Sequence, residues 1–316
     1  MPIETKDQHA LHQARQTQLN KSSAYIEKFL GSKNRIEDYE ESACPTCSQV
    51  ASKELFSKNK GCYCPGCQHI YLSNPLKEEE LIKFYSGYPT SSLEWHHNES
   101  DFYRQIYEKG LNMIKPSCAG NNMLDIGCSG GYFLSIASKQ GFETSGIEPN
   151  KQESAYAAEN GIKIAGATIY ELENNARFDV ITLWVVLEHI REPINYLKHL
   201  RSHLNANGLI FVQVPSSDSL AARVMRDACN MFDGIEHLTL FSARSLEIAF
   251  TKAGYSPINS QSVISELHAL RNYLGYELDP YLANPEMPFQ AEFLSAESIE
   301  ASGLGYKIQA VYRIEQ

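Results

Sequence analysis

The residues best equipped for chemistry fall in two places. In the first, Cys44-Pro45-Thr46-Cys47 and Cys64-Pro65-Gly66-Cys67 form two CxxC pairs with sixteen residues between them. A two-residue gap lets both sulfurs of a pair face one ion, and four thiolates so arranged suit a tetrahedral structural zinc. Gly66 permits the tight turn such a knuckle needs. Five of the eight cysteines lie between Cys44 and Cys67. The first twenty residues are polar and lack the apolar core of a secretory signal, so the cluster points to metal rather than disulfides and to a cytoplasmic protein. Cys62 stands beside the set, but only Cys64 completes a CxxC. Four thiolates leave no open coordination position, which assigns the zinc to folding and not to catalysis. His69 reads as a strand residue, not a fifth ligand.

The second place is Met123-Leu124-Asp125-Ile126-Gly127-Cys128-Ser129-Gly130-Gly131-Tyr132-Phe133, a strand, a glycine-rich turn and a helix start. Such a turn lets backbone approach a ligand at the positive end of a helix. It departs from the GxGxxG phosphate fingerprint, which argues against NAD(P). A second strand ends in Gly146-Ile147-Glu148-Pro149-Asn150, and an acid at that tip is the usual partner of ribose hydroxyls. A fourth strand runs from Phe178 into Leu187-Glu188-His189.

Those tips must meet at one sheet edge, and the chain from Asn122 onward supplies the elements. Strands are expected over 123–126, 144–147, 162–165, 178–185, 209–214 and 306–313. Helices are expected over 132–140, 152–160, 194–204 and 243–253, three of them followed by glycine. This alternation predicts a mostly parallel α/β sheet. Ahead of it lie a helical arm at 1–43, a zinc-ribbon module at 44–76 and a helical lid or linker at 77–120. The domain itself covers 121–316, with an aromatic insertion at about 265–303.

Residues 122–255 resemble class I S-adenosylmethionine-dependent methyltransferases, through LDIGC-x-GG at the first strand, LEH after the fourth and His237-Leu238-Thr239-Leu240-Phe241-Ser242 after the fifth. The stretch from Cys64-Pro65-Gly66-Cys67 through Asn74-Pro75 to Phe84-Tyr85 resembles the zinc-ribbon lead-in of bacterial members, many of them associated with sugar or polysaccharide modification. The resemblance implies a Rossmann-like seven-stranded sheet with an antiparallel last strand. It implies that Asp125, Gly127, Cys128, Ser129 and Gly131 surround the methionine part of the cofactor, Ser129 standing where many members carry glycine. Glu148 would take the ribose hydroxyls, with Pro149 against the sugar and adenine. Ala167 and Thr168 match the adenine edge, where no acid stands, and Leu183 and Trp184 would flank the sulfonium. Trp184 also reads as core. Tyr88, in an aromatic-dense stretch that includes His96, Tyr103 and Tyr107, is expected to contribute to a lid over the cofactor.

Methyl transfer from a sulfonium needs mainly alignment and exclusion of water, whereas a hydroxyl acceptor also needs a base. His237 and His189 are placed for that role. The expected acceptor is a small molecule or a carbohydrate. An RNA substrate held by the ribbon is the rival reading, and a non-catalytic scaffold a second. The formal charge of -10 counts against the first rival. Residues 1–120 are near neutral, with 14 basic and 15 acidic residues, and the remainder is acidic, a poor footprint for phosphate backbones. No apolar run is long enough to span a membrane.

Overall fold

The computed structural model describes residues 8–33, 37–50, 53–56, 61–87, 93, 96, 100–283, 289–290 and 293–315. In chain order its strands are β1 (Lys53–Phe56), β2 (Gly61–Tyr63), β3 (Ile70–Leu72), β4 (Asn122–Ile126), β5 (Glu143–Ile147) and β6 (Lys163–Gly166). They continue with β7 (Phe178–Trp184), β8 (Leu204–Pro215), β9 (Thr239–Leu240), β10 (Tyr255–Val263) and β11 (Lys307–Ile314). Among the described residues no helix is long and apolar enough to cross a membrane.

The chain forms two compact units. One comprises Ser92–Val214, Leu246–Gln261 and Ile308–Gln316. It is built on a seven-stranded sheet in the order β10-β11-β8-β7-β4-β5-β6. The run from β8 to β6 is parallel throughout, and the buried strands read as near-continuous apolar runs, as two-sided coverage requires. Polar anchors fix the register. Asp179, at the start of β7, accepts the Asn122 amide at 3.0 Å and the Asn205 side chain at 2.8 Å, tying three strand starts together. Across the other half, Gln261 donates to Gln309 at 2.7 Å and Gln309 to Gln213 at 2.9 Å, a ladder linking β10, β11 and β8. The fully buried Gln309 also reaches the Ile106 carbonyl, so this interior polar group is satisfied.

The helix Ser100–Ile114 buries Ile106, Tyr107, Gly110, Leu111, Met113 and Ile114, the spacing of one helical face. Gly110 allows a close approach: a Cβ there would lie 2.5 Å from the Trp184 ring and 2.8 Å from that of Phe211.

The other unit comprises Met1–Ser91, Pro215–Ser245 and Ser262–Lys307. Its small antiparallel sheet has the order β1-β2-β3-β9. Strand β9 pairs Leu240 with Ile70 and Thr239 with Tyr71, so a segment lying in the chain between two strands of the large sheet, β8 and β10, completes the cysteine module. Grouping in space therefore cuts across the linear segments expected from the sequence. The helix Gln8–Gly31 docks through Tyr25 and Phe29, whose rings each lie 5.3 Å from Phe84. Lys33 and Lys83 both pair with the buried Glu80. In the expected insertion, the helix Leu267–Leu274 buries Ala269 and Leu270 against Ala221, Met225 and Phe232.

Gly110→Ala gains roughly 0.5–1 kcal/mol of helix propensity but overpacks the core at a cost of about 1–3 kcal/mol. Thermal denaturation should therefore show a net loss; an unchanged or raised melting temperature would mean that the Trp184–Phe211 contact yields freely.

Candidate functional site

In the large-sheet unit the glycine-rich turn follows β4 and is bound to the neighbouring strand. The Gly127 and Cys128 amides donate to the Ile147 carbonyl at 2.9 and 3.1 Å, and the Gly131 amide to that of Cys128 at 2.9 Å. Gly131 enters the helix Tyr132–Lys139 at φ +78°, and a Cβ on it would lie 2.4 Å from Ile162. Ser129 adopts a left-handed φ of +50° without being glycine. Its amide donates to Glu148 Oε2 at 2.8 Å, a charge-assisted bond that holds the turn in place.

Glu148 is buried at the tip of β5, and its other oxygen accepts the Asn150 amide at 2.8 Å. Burial pushes its pKa up to about 7 against the pull of those two amides, with Glu153 adding to the rise. Asp125, buried on the adjacent strand, accepts the Thr182 hydroxyl at 2.6 Å. Burial raises it to about 8; Thr182 opposes the shift and the Glu148 charge reinforces it. Two acids at neighbouring strand tips thus titrate near neutrality, as expected of a dry ligand-binding edge.

Leu183 is fully buried and Trp184 nearly so. The indole packs among Phe211, Tyr107 and Phe133, with ring centroids 4.4, 4.7 and 4.9 Å away. It is part of the core, yet its Nε1–H is buried without a hydrogen-bond partner. A second such donor sits on the same cluster. The Tyr107 hydroxyl lies 2.7 Å from His96 Nε2. Burial lowers His96 to about 4, so the ring is neutral, and it holds Tyr107 well above the ordinary phenol value. A phenol so held donates to Nε2, which leaves the proton on Nδ1, and that atom is likewise buried without a partner. Unpaired buried donors cost about 1–3 kcal/mol each, a cost that a ligand oxygen would relieve. In the sequence His96 is one aromatic among many, with nothing to set it apart.

The Ala167 amide and Thr168 hydroxyl both donate to Glu171, at 2.9 and 3.3 Å. The stretch after β6, which carries no acid at Ala167 or Thr168, thus receives one from the following turn, Ile169–Glu171. Pro149 is exposed beside Glu148. Tyr88 lies outside the described residues. His189 is half-buried in the short turn Leu187–His189, its amide bonded to the Val186 carbonyl.

In the N-terminal unit the four expected cysteines converge, with all their sulfurs within 4.8 Å of one another. Cys44 and Cys67 are 3.4 Å apart and Cys47 and Cys64 3.3 Å. Each CxxC closes the same way, Ser48 N–H on the Cys44 carbonyl and Gln68 N–H on that of Cys64, both residues at φ +62°. Burial lifts the Cys44 thiol to about 11 and Cys67 further. At Cys64 burial is outweighed by the Cys67 and Gly66 amides and by the Cys47 thiol, bringing it down to about 7. Cys62 sits apart on β2, paired with Tyr71. His69 is buried with Nδ1 on the Ser245 hydroxyl at 3.1 Å.

His237 belongs to the same unit. Its Nδ1 lies 2.9 Å from the Met231 carbonyl oxygen and 2.5 Å from Asp233 Oδ2. The ring N–H is aligned on the carbonyl, and the carboxylate contributes charge. Asp233 is anchored in turn by the Ile235 and Glu236 amides, at 2.8 and 2.6 Å. Burial opposes its ionisation, but His237 and those amides outweigh it and lower its pKa.

A family model described as a methyltransferase domain matches residues 95–260. The ubiquinone biosynthesis O-methyltransferase of Rickettsia canadensis is 33% identical over 79 residues, 23% of this chain and 34% of that protein. Its counterpart in Rickettsia prowazekii is 34% identical over 79 residues, 23% of this chain and 31% of that protein. The chain thus spans about a third of the length of the curated relatives it matches. Among solved structures, the plantazolicin methyltransferase BpumL in complex with SAH aligns with a TM-score of 0.50 at 17% identity, covering 75% of this chain and 94% of that one. At that identity the likeness is one of fold.

Asp125 yields a test of the site's electrostatics. Its folded pKa of about 8 lies above the unfolded value, so the folded state holds the extra proton and stability falls as pH rises from about 4 to about 8. Asp125→Asn should flatten that decline in urea denaturation series. An unaltered slope would place the titrating group elsewhere.

Proposed function

The chain belongs to the family of S-adenosylmethionine-dependent methyltransferases, and on that premise we propose that it methylates a hydroxyl of a small-molecule or sugar-linked acceptor. The observation that carries the cofactor part is the pair of high-pKa acids, Asp125 and Glu148, at adjacent strand tips. Each Glu148 oxygen spends one lone pair on a backbone amide, leaving a second for a ribose hydroxyl. Asp125 suits the ammonium of the methionine moiety. The donors on His96 and Trp184 suit an anionic oxygen such as its carboxylate, and the turn at Ala167 and Thr168 suits the adenine edge. When bound, S-adenosylmethionine supplies a methyl group on an activated sulfonium leaving group.

The chain's own share of the chemistry is alignment and removal of a proton. With Nδ1 protonated and fixed by Met231 and Asp233, the base position of His237 is Nε2. Of the two candidate histidines, His237 is taken as the base in this proposal, with Asp233 Oδ2 2.5 Å from its Nδ1. A hydroxyl acceptor also accords with the O-methyltransferase names of the Rickettsia relatives. The RNA reading remains disfavoured by the acidic composition, and a non-catalytic scaffold by the intact turn and acids.

Cys44, Cys47, Cys64 and Cys67 hold a structural zinc in this proposal. The donor set is all thiolate, closed and pseudo-symmetric, which suits zinc. Strands β1 to β3 are too short to hold themselves. Purified protein should carry one zinc per chain by elemental analysis. Cys64→Ser should lose the metal and melt several degrees lower; full stability without metal would remove zinc from the account.

The acceptor chemistry is tested with methyl-labelled cofactor and panels of sugar-linked and phenolic hydroxyls. His237→Asn should lower turnover about 10²- to 10⁴-fold with SAH affinity unchanged. Transfer that proceeds equally well in the variant, or only to nitrogen, would refute the hydroxyl reading.

A further inference from the structure

In the large-sheet unit, residues just ahead of the helix Ser100–Ile114 lie against the glycine-rich turn. A Cβ on Gly130 would collide with the Leu93 side chain. His96, close behind it in the chain, is ringed by Tyr103, Tyr132 and Tyr107, with centroids 4.7, 5.5 and 5.9 Å from its own. Tyr103 and Tyr107 share one face of the helix at a spacing of four. Tyr132 follows Gly131 directly, and its hydroxyl donates to the Ser100 carbonyl at 3.0 Å. The imidazole is thus fixed beside the turn.

A neutral imidazole has one donor and one acceptor nitrogen, and its surroundings decide which is which. Here Tyr107 decides, its hydroxyl 2.7 Å from Nε2. Burial, reinforced by Tyr103, Asp125 and Tyr132, makes that phenol harder to ionise, so it stays a donor and Nε2 an acceptor. Burial also outweighs the charge of Glu153 and keeps the imidazole neutral. The Nδ1–H is then a buried donor without a partner, and the Trp184 indole, 4.7 Å from the same phenol ring, carries a second. Neutral donors in a dry aromatic setting suit an oxygen that bears charge. Unlike an arginine or lysine, they do not repel the ammonium that accompanies the carboxylate of an amino acid.

We infer that Tyr107 is a positioning residue: it sets the tautomer of His96, whose Nδ1–H then holds the carboxylate at the amino-acid end of the cofactor. This rests on the cofactor reading above and adds to it the device that selects for the carboxylate, a hydrogen bond from a neutral ring in place of a countercharge.

The test is calorimetric titration of the full, metal-replete chain with SAH and with decarboxylated SAH, which keeps the ammonium and lacks only the carboxylate. The parent should bind SAH at least about tenfold more tightly, the worth of one hydrogen bond to a charged group. His96→Phe and Tyr107→Phe should each lose most of that preference. Both should bind the decarboxylated compound as the parent does, which also reports that they are folded. Long-range ¹H–¹⁵N correlation spectra add a readout that a purely structural tyrosine would not move. With the His96 signal identified by its loss in His96→Phe, the parent should show Nδ1 protonated and Nε2 bare. In Tyr107→Phe the proton should redistribute between the two nitrogens.

A parent that binds neither compound would sink the cofactor reading and this inference with it. SAH binding whose preference over the decarboxylated compound is absent in the parent, or survives in His96→Phe, overturns this inference alone, as does a bare Nδ1 in the parent. An unmoved tautomer in Tyr107→Phe removes Tyr107 from the role. If that variant does not fold, the parent spectrum and His96→Phe still decide.

Discussion

The loop at the heart of the large-sheet unit depends on one buried carboxylate. Glu148 accepts an amide from Ser129 on one oxygen and from Asn150 on the other. It thereby couples the turn after β4 to the start of the helix after β5. That coupling holds Ser129 in a left-handed conformation and sets the path into the helix at Gly131. It requires a carboxylate away from water, beside a second one on Asp125. The parallel register, Asp125 opposite Gly146 and Ile126 opposite Ile147, makes that juxtaposition unavoidable. A site that concentrates two reluctant acids is prepared for a cationic ligand, whose charge relieves what burial imposes.

The N-terminal unit solves a different problem. Three strands of three or four residues cannot bury enough surface to fold alone. Two devices compensate. One is the convergence of four thiols, which a metal would turn into a cross-link. The other is the pairing of β3 with β9 and the packing of Ile70 and Leu240 with Met225 and Phe232. The cysteine module is therefore part of a larger body that draws on three separated stretches of chain. The same segment that supplies β9 also carries Asp233 and His237.

Much of this was legible from residue types. The central parallel strands announced themselves because they are buried on both sides: β7 was expected over 178–185 and spans Phe178–Trp184. The cysteine pairs were legible because their spacing has few other uses. What escaped was set by long-range contacts. Strand β10 reads weakly because it is a largely exposed edge strand that contains Pro257. Strand β9 has two residues and exists only through its partner β3. Glu171 folds back on Ala167 and Thr168 from three or four positions downstream, beyond any motif. His96 acquires meaning only when Tyr107 fixes its tautomer and burial strands its Nδ1. Trp184 is a core ring whose Nε1 donor has no partner, a pairing that residue type does not reveal.

The two strand-tip acids are expected to receive the ammonium and ribose hydroxyls of the cofactor. The most direct measurement is calorimetric titration of the protein with SAH near pH 7, in buffers of different ionisation enthalpy, alongside Glu148→Ala. With Glu148 and Asp125 partly protonated beforehand, binding should release protons and tighten as pH rises from 6 to 8, and the variant should lose most of its affinity. Binding without proton release, or equal affinity in the variant, would contradict the claim that these buried carboxylates form the cofactor site.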